Sequence, residues 1–294
     1  MNRQGIVLAI ALVLAGAALG GLLQDPGPGI AVRSGGPVMP GREMPVLDAS
    51  LASAFLSARF VENLGQLPDD RIRYYAEGDP LSVAITDGGV IYSMRAPGMT
   101  ARDGTVDLVS FSLRFHGSRP SEPYGVDDRG FVCSFFLGDD PGGWASGVKG
   151  FQEVRLDGVY DGVDVRFRLE DGLFKYYLEV APGARVDGVV LVYDGVDRLE
   201  VEPASGDLLV RTGLGTLRDS RPVVMQRTAS GAPTELPGDY ELIGQDRLRF
   251  TIPDAIDRRA PFTVDPGVVF STYLGGGMND IVLAQWMASK VITL

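Results

Sequence analysis

The stretch from Val163 to Val180 constrains the fold of this chain more tightly than any other. Val163, Val165, Phe167 and Leu169 alternate with Asp164, Arg166, Arg168 and Glu170. That is the two-residue period of a strand with one face in a core and the other in water. Asp171-Gly172 follows, the pair that best supplies the two positive-φ positions of a type I′ turn. A two-residue loop pairs Leu169 with Phe174, Phe167 with Tyr176, Val165 with Leu178 and Val163 with Val180. Every apolar residue of the first strand meets an apolar partner on the same face. A slip of one residue would turn that whole face to water, so the register is well determined.

The same grammar runs through the rest of the chain. Ile72 to Ala76, Leu81 to Thr86 and Val90 to Met94 are short β-type runs, punctuated by Gly78-Asp79-Pro80 and Asp87-Gly88-Gly89. From Val106 to Phe115 the residues alternate, with Val109, Phe111, Leu113 and Phe115 on the face expected to be buried. Further strands are expected at Arg198–Glu202, Leu208–Thr212, Val223–Arg227, Tyr240–Ile243 and Leu248–Ile252. Two identical pentapeptides, Tyr160-Asp161-Gly162-Val163-Asp164 and Tyr193-Asp194-Gly195-Val196-Asp197, invite the idea of a duplication. The residues after each copy do not match, and recurrent Asp-Gly turn chemistry explains the pair more simply. The 39 glycines and 19 prolines in 294 residues suit many short strands and tight turns. Without βαβ alternation, the expected fold class is all-β: one or two antiparallel sandwich-like domains with short hairpins. One short N-terminal helix is expected, capped by Asp48 and burying Leu51, Phe55 and Leu56.

Composition narrows the chemistry. A formal charge of -11 and the lack of a basic run argue against nucleic acid, since nothing supplies the counterion release that phosphate backbones demand. Cys133 is the single cysteine, so an intramolecular disulfide and a cysteine-based zinc site are both excluded. It lies in the apolar run Phe131-Val132-Cys133-Ser134-Phe135-Phe136, where a buried, inert thiol is expected. With His116 the single histidine, no site built from several imidazoles can form. At the N-terminus, Arg3 precedes an apolar run from Ile6 to Leu23, and Ala15-Gly16-Ala17 fits a small-x-small cleavage pattern. Cleavage after Ala17 leaves the short apolar core of a secretory signal, whereas the full run approaches the length of an uncleaved anchor. The signal is the preferred reading, and under either one the folded part lies outside the cytoplasm. Any contact with membrane would then come only through that segment if it is uncleaved. The Pro/Gly-rich stretch 24–45 is expected to be a tether.

A set of motifs, each weak alone, has an order and spacing that resemble a known arrangement. They are Phe60-Val61-Glu62-Asn63-Leu64-Gly65-Gln66, Phe136-Leu137-Gly138-Asp139-Asp140-Pro141 with Trp144, and Val154 through Asp164. Next come Tyr177 to Ala184, Gly206-Asp207-Leu208, Pro222 to Gln226, and the closing Asp265-Pro266 to Gly276 with its Ser271-Thr272-Tyr273-Leu274-Gly275-Gly276. Together they resemble the uncharacterised all-β leader domain that precedes SBBP repeats, β-propeller-type units of bacterial and archaeal secreted or surface proteins. The resemblance covers Phe60 to Gly276. It implies a domain organisation of signal or anchor (1–23), linker (24–45), β-rich leader domain with one or two subdomains (46–266), and the start of a repeat with a divergent tail (267–294). This chain has Ser134-Phe135-Phe136 where the family usually shows Asn-Tyr-Phe. From Asp280 to Leu294 an amphipathic, helix-compatible stretch replaces the expected Gly- and Asp-rich turns, as in a leader domain whose repeat array has been lost.

No nucleophile elbow, phosphate loop, dinucleotide fingerprint or zinc-binding His-Glu motif is present. A Ser-His-Asp triad would have to use His116 beside Ser118, and a strand-end histidine is the simpler reading. Asp139-Asp140, Asp127-Asp128 and Asp161/Asp164 are the paired carboxylates that a glycosidase would need. All sit beside glycine or proline, where aspartate is favoured for turn geometry. Loop aspartates also suit calcium, but neither an EF-hand nor a nonapeptide pattern appears, and no metal site is assigned. Trp144, in the loop Pro141-Gly142-Gly143-Trp144, is the one ligand candidate, through stacking on a glycan; closing over a sandwich edge is its commoner use. The expectation is a non-catalytic, cofactor-free scaffold or leader domain outside the cell or in its envelope. Its expected partners are envelope polysaccharide or other surface proteins. The alternative is a carbohydrate-binding or glycan-hydrolysing module.

Overall fold

The hairpin dictated by the alternation is present residue for residue: Val163 faces Val180, Val165 Leu178, Phe167 Tyr176 and Leu169 Phe174. The structure is a computed structural model that describes residues 30–34, 59–78, 81–95, 108–127, 130–135, 144–170, 173–227 and 232–271. The connecting Asp171-Gly172 lies outside them, as do the segments expected to be signal, N-terminal helix and tail. Glu170 and Leu173 pair at the end of the ladder.

In chain order the strands begin with β1 (Ile30–Ser34), β2 (Phe60–Glu62), β3 (Ile72–Ala76), β4 (Leu81–Thr86), β5 (Gly89–Arg95) and β6 (Leu108–His116). They continue with β7 (Tyr124–Val126), β8 (Phe131–Phe135), β9 (Ala145–Phe151), β10 (Glu153–Tyr160), β11 (Val163–Glu170) and β12 (Leu173–Val180). A 3-10 turn, Val186–Gly188, leads to β13 (Val190–Asp194), β14 (Arg198–Val201), β15 (Leu208–Thr212) and β16 (Gly215–Arg227). Last come β17 (Pro233–Pro237), β18 (Asp239–Leu242), β19 (Arg247–Thr251) and β20 (Phe262–Ser271).

Two antiparallel sheets result. One has the order β1-β8-β9-β2-β3-β4-β5-β6-β13-β19-β18; the other runs β14-β15-β16-β20-β12-β11-β10-β7, with β17 paired to the second half of β16. Their apolar faces meet in one core, to which β5 and β6 bring Tyr92 and Phe111, and β11 and β12 bring Phe167, Phe174 and Tyr176. Phe174 marks the contact: its ring stands edge-on to Phe60 and Tyr92 at 6.2 and 5.8 Å and stacks on Phe167 at 5.8 Å. Such offset and edge-on pairs add to the large apolar area that each ring removes from water. A second cluster lies on the other face of β3 and β4, where Ile72, Tyr75 and Ala84 pack with Phe131, Cys133 and Phe135 of β8. The first sheet must therefore curl, bringing its β8–β9 arm over the back of β3 and β4. Neighbouring Tyr74 and Tyr75 consequently serve different cores.

Three local outcomes differ from, or sharpen, the expectations. The stretch read as a tether contributes β1, which pairs with β8 from Ile30↔Phe135 to Ser34↔Phe131. The five residues Ile-Ala-Val-Arg-Ser between flanking glycines carry enough β propensity to use the open edge of β8. Both pentapeptide copies are turns: Gly162 (φ 70°) closes the β10–β11 hairpin, and Gly195 (φ 93°) turns the chain from β13 towards β14. At the other end, β20 passes through Asp265-Pro266 without a break. Residues 267–271 pair with 220–216 in the same sheet, so the position assigned to the domain boundary falls inside a strand.

That crossing carries a bulge. Ser220 pairs with Gly267 and Val223 with Asp265, leaving Arg221 and Pro222 opposite Pro266 alone. Two prolines at a bulge sacrifice no ladder donors, because neither has an N–H to give. The remaining backbone groups are taken up locally. Arg221 N donates to Asp207 at 2.9 Å, Gly238 N to the Pro222 carbonyl at 2.8 Å, and the Tyr240 hydroxyl to the Ser220 carbonyl at 2.9 Å.

Candidate functional surface

The residues nominated by the sequence are dispersed. Trp144 stands at the head of β9 in the first sheet with 44% of its surface exposed, so its ring is only partly engaged by the protein. His116 is exposed at the end of β6, and its carbonyl accepts the Tyr160 hydroxyl at 2.8 Å. Cys133 is buried on β8; burial pushes its thiol up to about 12, which leaves it protonated and unreactive near neutrality. Asp127, with φ 62°, occupies a left-handed turn position. Asp161 is exposed in the β10–β11 turn beside Arg119 at 3.1 Å, while Asp164 accepts from Gly158 N at 2.6 Å. Each of these three carboxylates is thus engaged in turn or surface chemistry. Asp128, Asp139 and Asp140 lie outside the described residues.

A coherent surface is found where the sequence offered only alternating charge. The polar residues of β10, β11 and β12 share the outer face of the second sheet, because their apolar neighbours are committed to the core. Glu153 ties to Arg155, Arg166 and Arg168, and Glu179 reaches Arg166 at 3.1 Å and Arg155 at 3.5 Å. Glu170 joins Arg168 at 3.0 Å to Lys175 at 3.6 Å, and Lys175 continues to Asp265 of β20 at 3.6 Å. The Tyr177 ring lies beneath both Arg166, at 4.6 Å, and Lys175, at 5.9 Å. Four cations and four carboxylates alternate in one lattice. Single exposed pairs of this kind contribute about 0–1 kcal/mol each. Glu153 and Asp265 are well shielded, with side chains only 12% and 17% exposed, so these pairs are less screened than ordinary surface ones. Burial raises the Asp265 carboxyl above its usual range, with Lys175 opposing the shift.

Beyond one end of this lattice the register lines up Asp164, Glu179, Thr263, Met225 and Glu235 across β11, β12, β20, β16 and β17. With Pro182, Pro233 and Pro261 they border a cleft of about 740 Å³. Its chemistry is that of proline rings beside three carboxylates, Asp164, Glu179 and Glu235. Among the described residues, no group of three or more histidine, cysteine, aspartate or glutamate side chains is arranged to hold a metal ion.

The Phe60–Gln66 motif builds a loop locked by its own amides. Asn63 Nδ2 donates to the carbonyls of Ile72, Asp69 and Leu67 at 2.9, 3.3 and 3.4 Å, while its Oδ1 accepts from Leu67 N and Gly65 N at 3.1 and 3.2 Å. Gln66 accepts from Leu64 N at 2.7 Å and donates to the Glu62 carbonyl at 2.6 Å. Leu64 is left at the tip, 53% exposed.

These features fall within a single recognised unit. A family model described as a domain of unknown function (DUF7948) matches residues 60–267, from the first residue of β2 into β20. No curated protein and no solved structure matches the chain. With the locked loop, the ionic lattice and the β16–β20 bulge all inside the matched span, the chain belongs to the DUF7948 family.

Proposed function

We propose that this domain is a non-catalytic scaffold, exported to the cell surface or envelope, that acts as the leader of a repeat protein of the SBBP type. One observation carries the reading. The strand that passes the chain onward, β20, is internal to its sheet, paired with β12 over 262–264 and with β16 over 262–271. A segment continuing from such a strand is joined to the core of the domain rather than to a loose end, as a rigid leader requires. The Ser271-Thr272-Tyr273-Leu274-Gly275-Gly276 signature begins on the last residue of that strand, and the apolar run Ile6–Leu23 supports export. A test is to attach SBBP-type repeats after residue 276 and to compare their folding with and without residues 60–271. The scaffold reading expects a higher yield of folded repeats when the domain is present. Equal yields would overturn it.

The partial exposure of Trp144 favours a second reading, a carbohydrate-binding module. A polysaccharide pull-down and glycan array with residues 24–294 decide between them. Saccharide binding that disappears in Trp144→Ala supports the second reading, and an array without specific binding supports the first.

A further inference from the structure

Between the sheets lies a buried acid that the ionic lattice does not account for. Asp219 of β16 is 1% exposed, and its neighbours across the ladders are Leu208 and Val268. No cation of the surrounding elements is turned to it. Arg218 pairs with Glu202 and Asp207 at 2.6 Å, Arg221 with Asp239 at 2.7 Å, and Lys175 with Glu170 and Asp265. The groups that do face it are Tyr92 of β5, Tyr176 of β12, Tyr193 of β13 and Tyr240 of β18, with the carboxyls of Asp265 and Asp207 further off. An isolated carboxylate in such surroundings is costly, and a buried acid without a cation relieves the cost by staying protonated.

The hydrogen bonds point the same way. Tyr176 donates its hydroxyl proton to Asp219 Oδ2 at 3.3 Å. Tyr240 gives its hydroxyl proton to the Ser220 carbonyl at 2.9 Å. A phenol has one proton, so Tyr240 has none left to stabilise an Asp219 anion. Tyr92, Tyr176, Tyr193 and Tyr240 belong to the core shared by the two sheets, and the Tyr240–Ser220 bond joins β18 to β16 beside the carboxyl. A neutral carboxyl is tolerated at that seam, whereas an anion would have only the bond from Tyr176 to offset its burial. Asp219 Oδ1 has no hydrogen-bond partner of its own to compensate an anion.

We propose that Asp219, with Tyr92, Tyr176, Tyr193 and Tyr240, is a protonation latch that clamps β13 and β18 of one sheet to β12 and β16 of the other. Breaking the carboxyl O–H bond and releasing the proton to water leaves an uncompensated anion at the seam, which opens to let water reach it. Burial, opposed by the bond from Tyr176, pushes the Asp219 carboxyl up from 3.8 to about 7. The sign follows from proton linkage. Between those two values the closed form holds a proton that the open form has lost, so stability falls as pH rises and is level above about 7. The latch is tighter in mild acid than at neutrality.

The test compares residues 24–294 with the variants Asp219→Asn and Tyr176→Phe in urea titrations from pH 4 to pH 8.5. Relative to Asp219→Asn, which cannot ionise, the unfolding constant of the unchanged protein is expected to rise close to tenfold per pH unit from about 4 to about 7. Parallel profiles for the two would overturn the latch. Tyr176→Phe removes the hydroxyl that donates to the carboxyl and should move the upper inflection to higher pH; an unmoved inflection would refute the placement of the carboxyl at this seam. If Asp219→Asn does not fold, infrared spectroscopy of the unchanged protein decides. A neutral carboxylic acid band that persists at pH 6 supports the latch, and its absence at that pH overturns it.

Discussion

Replacing Asn63 by alanine tests whether the side chains of the Phe60–Gln66 motif act as structural clamps. Three of the five contacts of this amide have good geometry, to the Ile72 carbonyl at 2.9 Å and from Leu67 N and Gly65 N at 3.1 and 3.2 Å. At about 0.5–1.5 kcal/mol net for each bond, and with the site partly open to water, the loss is about 2–3 kcal/mol. With a urea slope of roughly 2 kcal/mol per molar, the midpoint should fall by about 1 M. Asn63→Asp separates the two halves of the amide. It keeps the acceptor for Gly65 and Leu67 but sets an anionic oxygen against the carbonyls of Ile72, Asp69 and Leu67. At neutral pH it should be at least as damaging as alanine. Acidification should partly restore it, because a protonated carboxyl can again donate to the Ile72 carbonyl. The assay is equilibrium urea denaturation followed by tyrosine fluorescence and far-UV circular dichroism. If Asn63→Asp matched the unchanged protein at neutral pH, the donor contacts would carry no stability and the clamp would be wrong.

Phe174→Ala removes the ring that touches Phe60, Tyr92 and Phe167. It should cost about 3–5 kcal/mol, and a urea midpoint lowered by less than the equivalent of about 1 kcal/mol would show that the two sheets do not meet there. Ending the chain after Asp265 deletes the β20 residues that pair with 216–220, so the thermal midpoint should fall sharply. Deleting Asp280–Leu294, which follows that strand and breaks the repeat pattern, should leave the midpoint unchanged. Equal midpoints for the unchanged chain and the chain ending at Asp265 would contradict the integral placement of β20.

Legibility in the sequence followed periodicity. Where one face was apolar and the other polar, strand, register and buried face could all be read, as at Val163–Val180, and β3, β4 and β15 have the expected limits. The first half of β16 escaped notice because Thr216 to Pro222 holds two arginines, an aspartate and a proline. Such a run reads as a loop until the bulge that excuses Pro222 and the partners that satisfy Arg218 and Arg221 are known. The ionic lattice was visible as alternating charge on each strand but not as a network, since pairs such as Lys175 with Asp265 depend on long-range strand order. Asp219 was illegible for the same reason: nothing local distinguishes a buried aspartate from the turn aspartates that fill this chain.

The bulge and the buried acid are two parts of one device. Pro266 opposes Arg221 and Pro222 and offers no N–H, so this point of the β16–β20 ladder is completed from elsewhere. The Ser220 carbonyl is met by the Tyr240 hydroxyl, reaching across from β18 of the other sheet. That bond spends the only proton Tyr240 has and leaves none for the Asp219 carboxyl, one residue before Ser220. An imino acid in the strand that passes the chain onward therefore bears on the protonation state of a carboxyl in the core. The Asp265-Pro266 junction, which in the sequence resembled a boundary between two units, lies within β20 opposite the bulge of β16, next to the bond that ties the two sheets together.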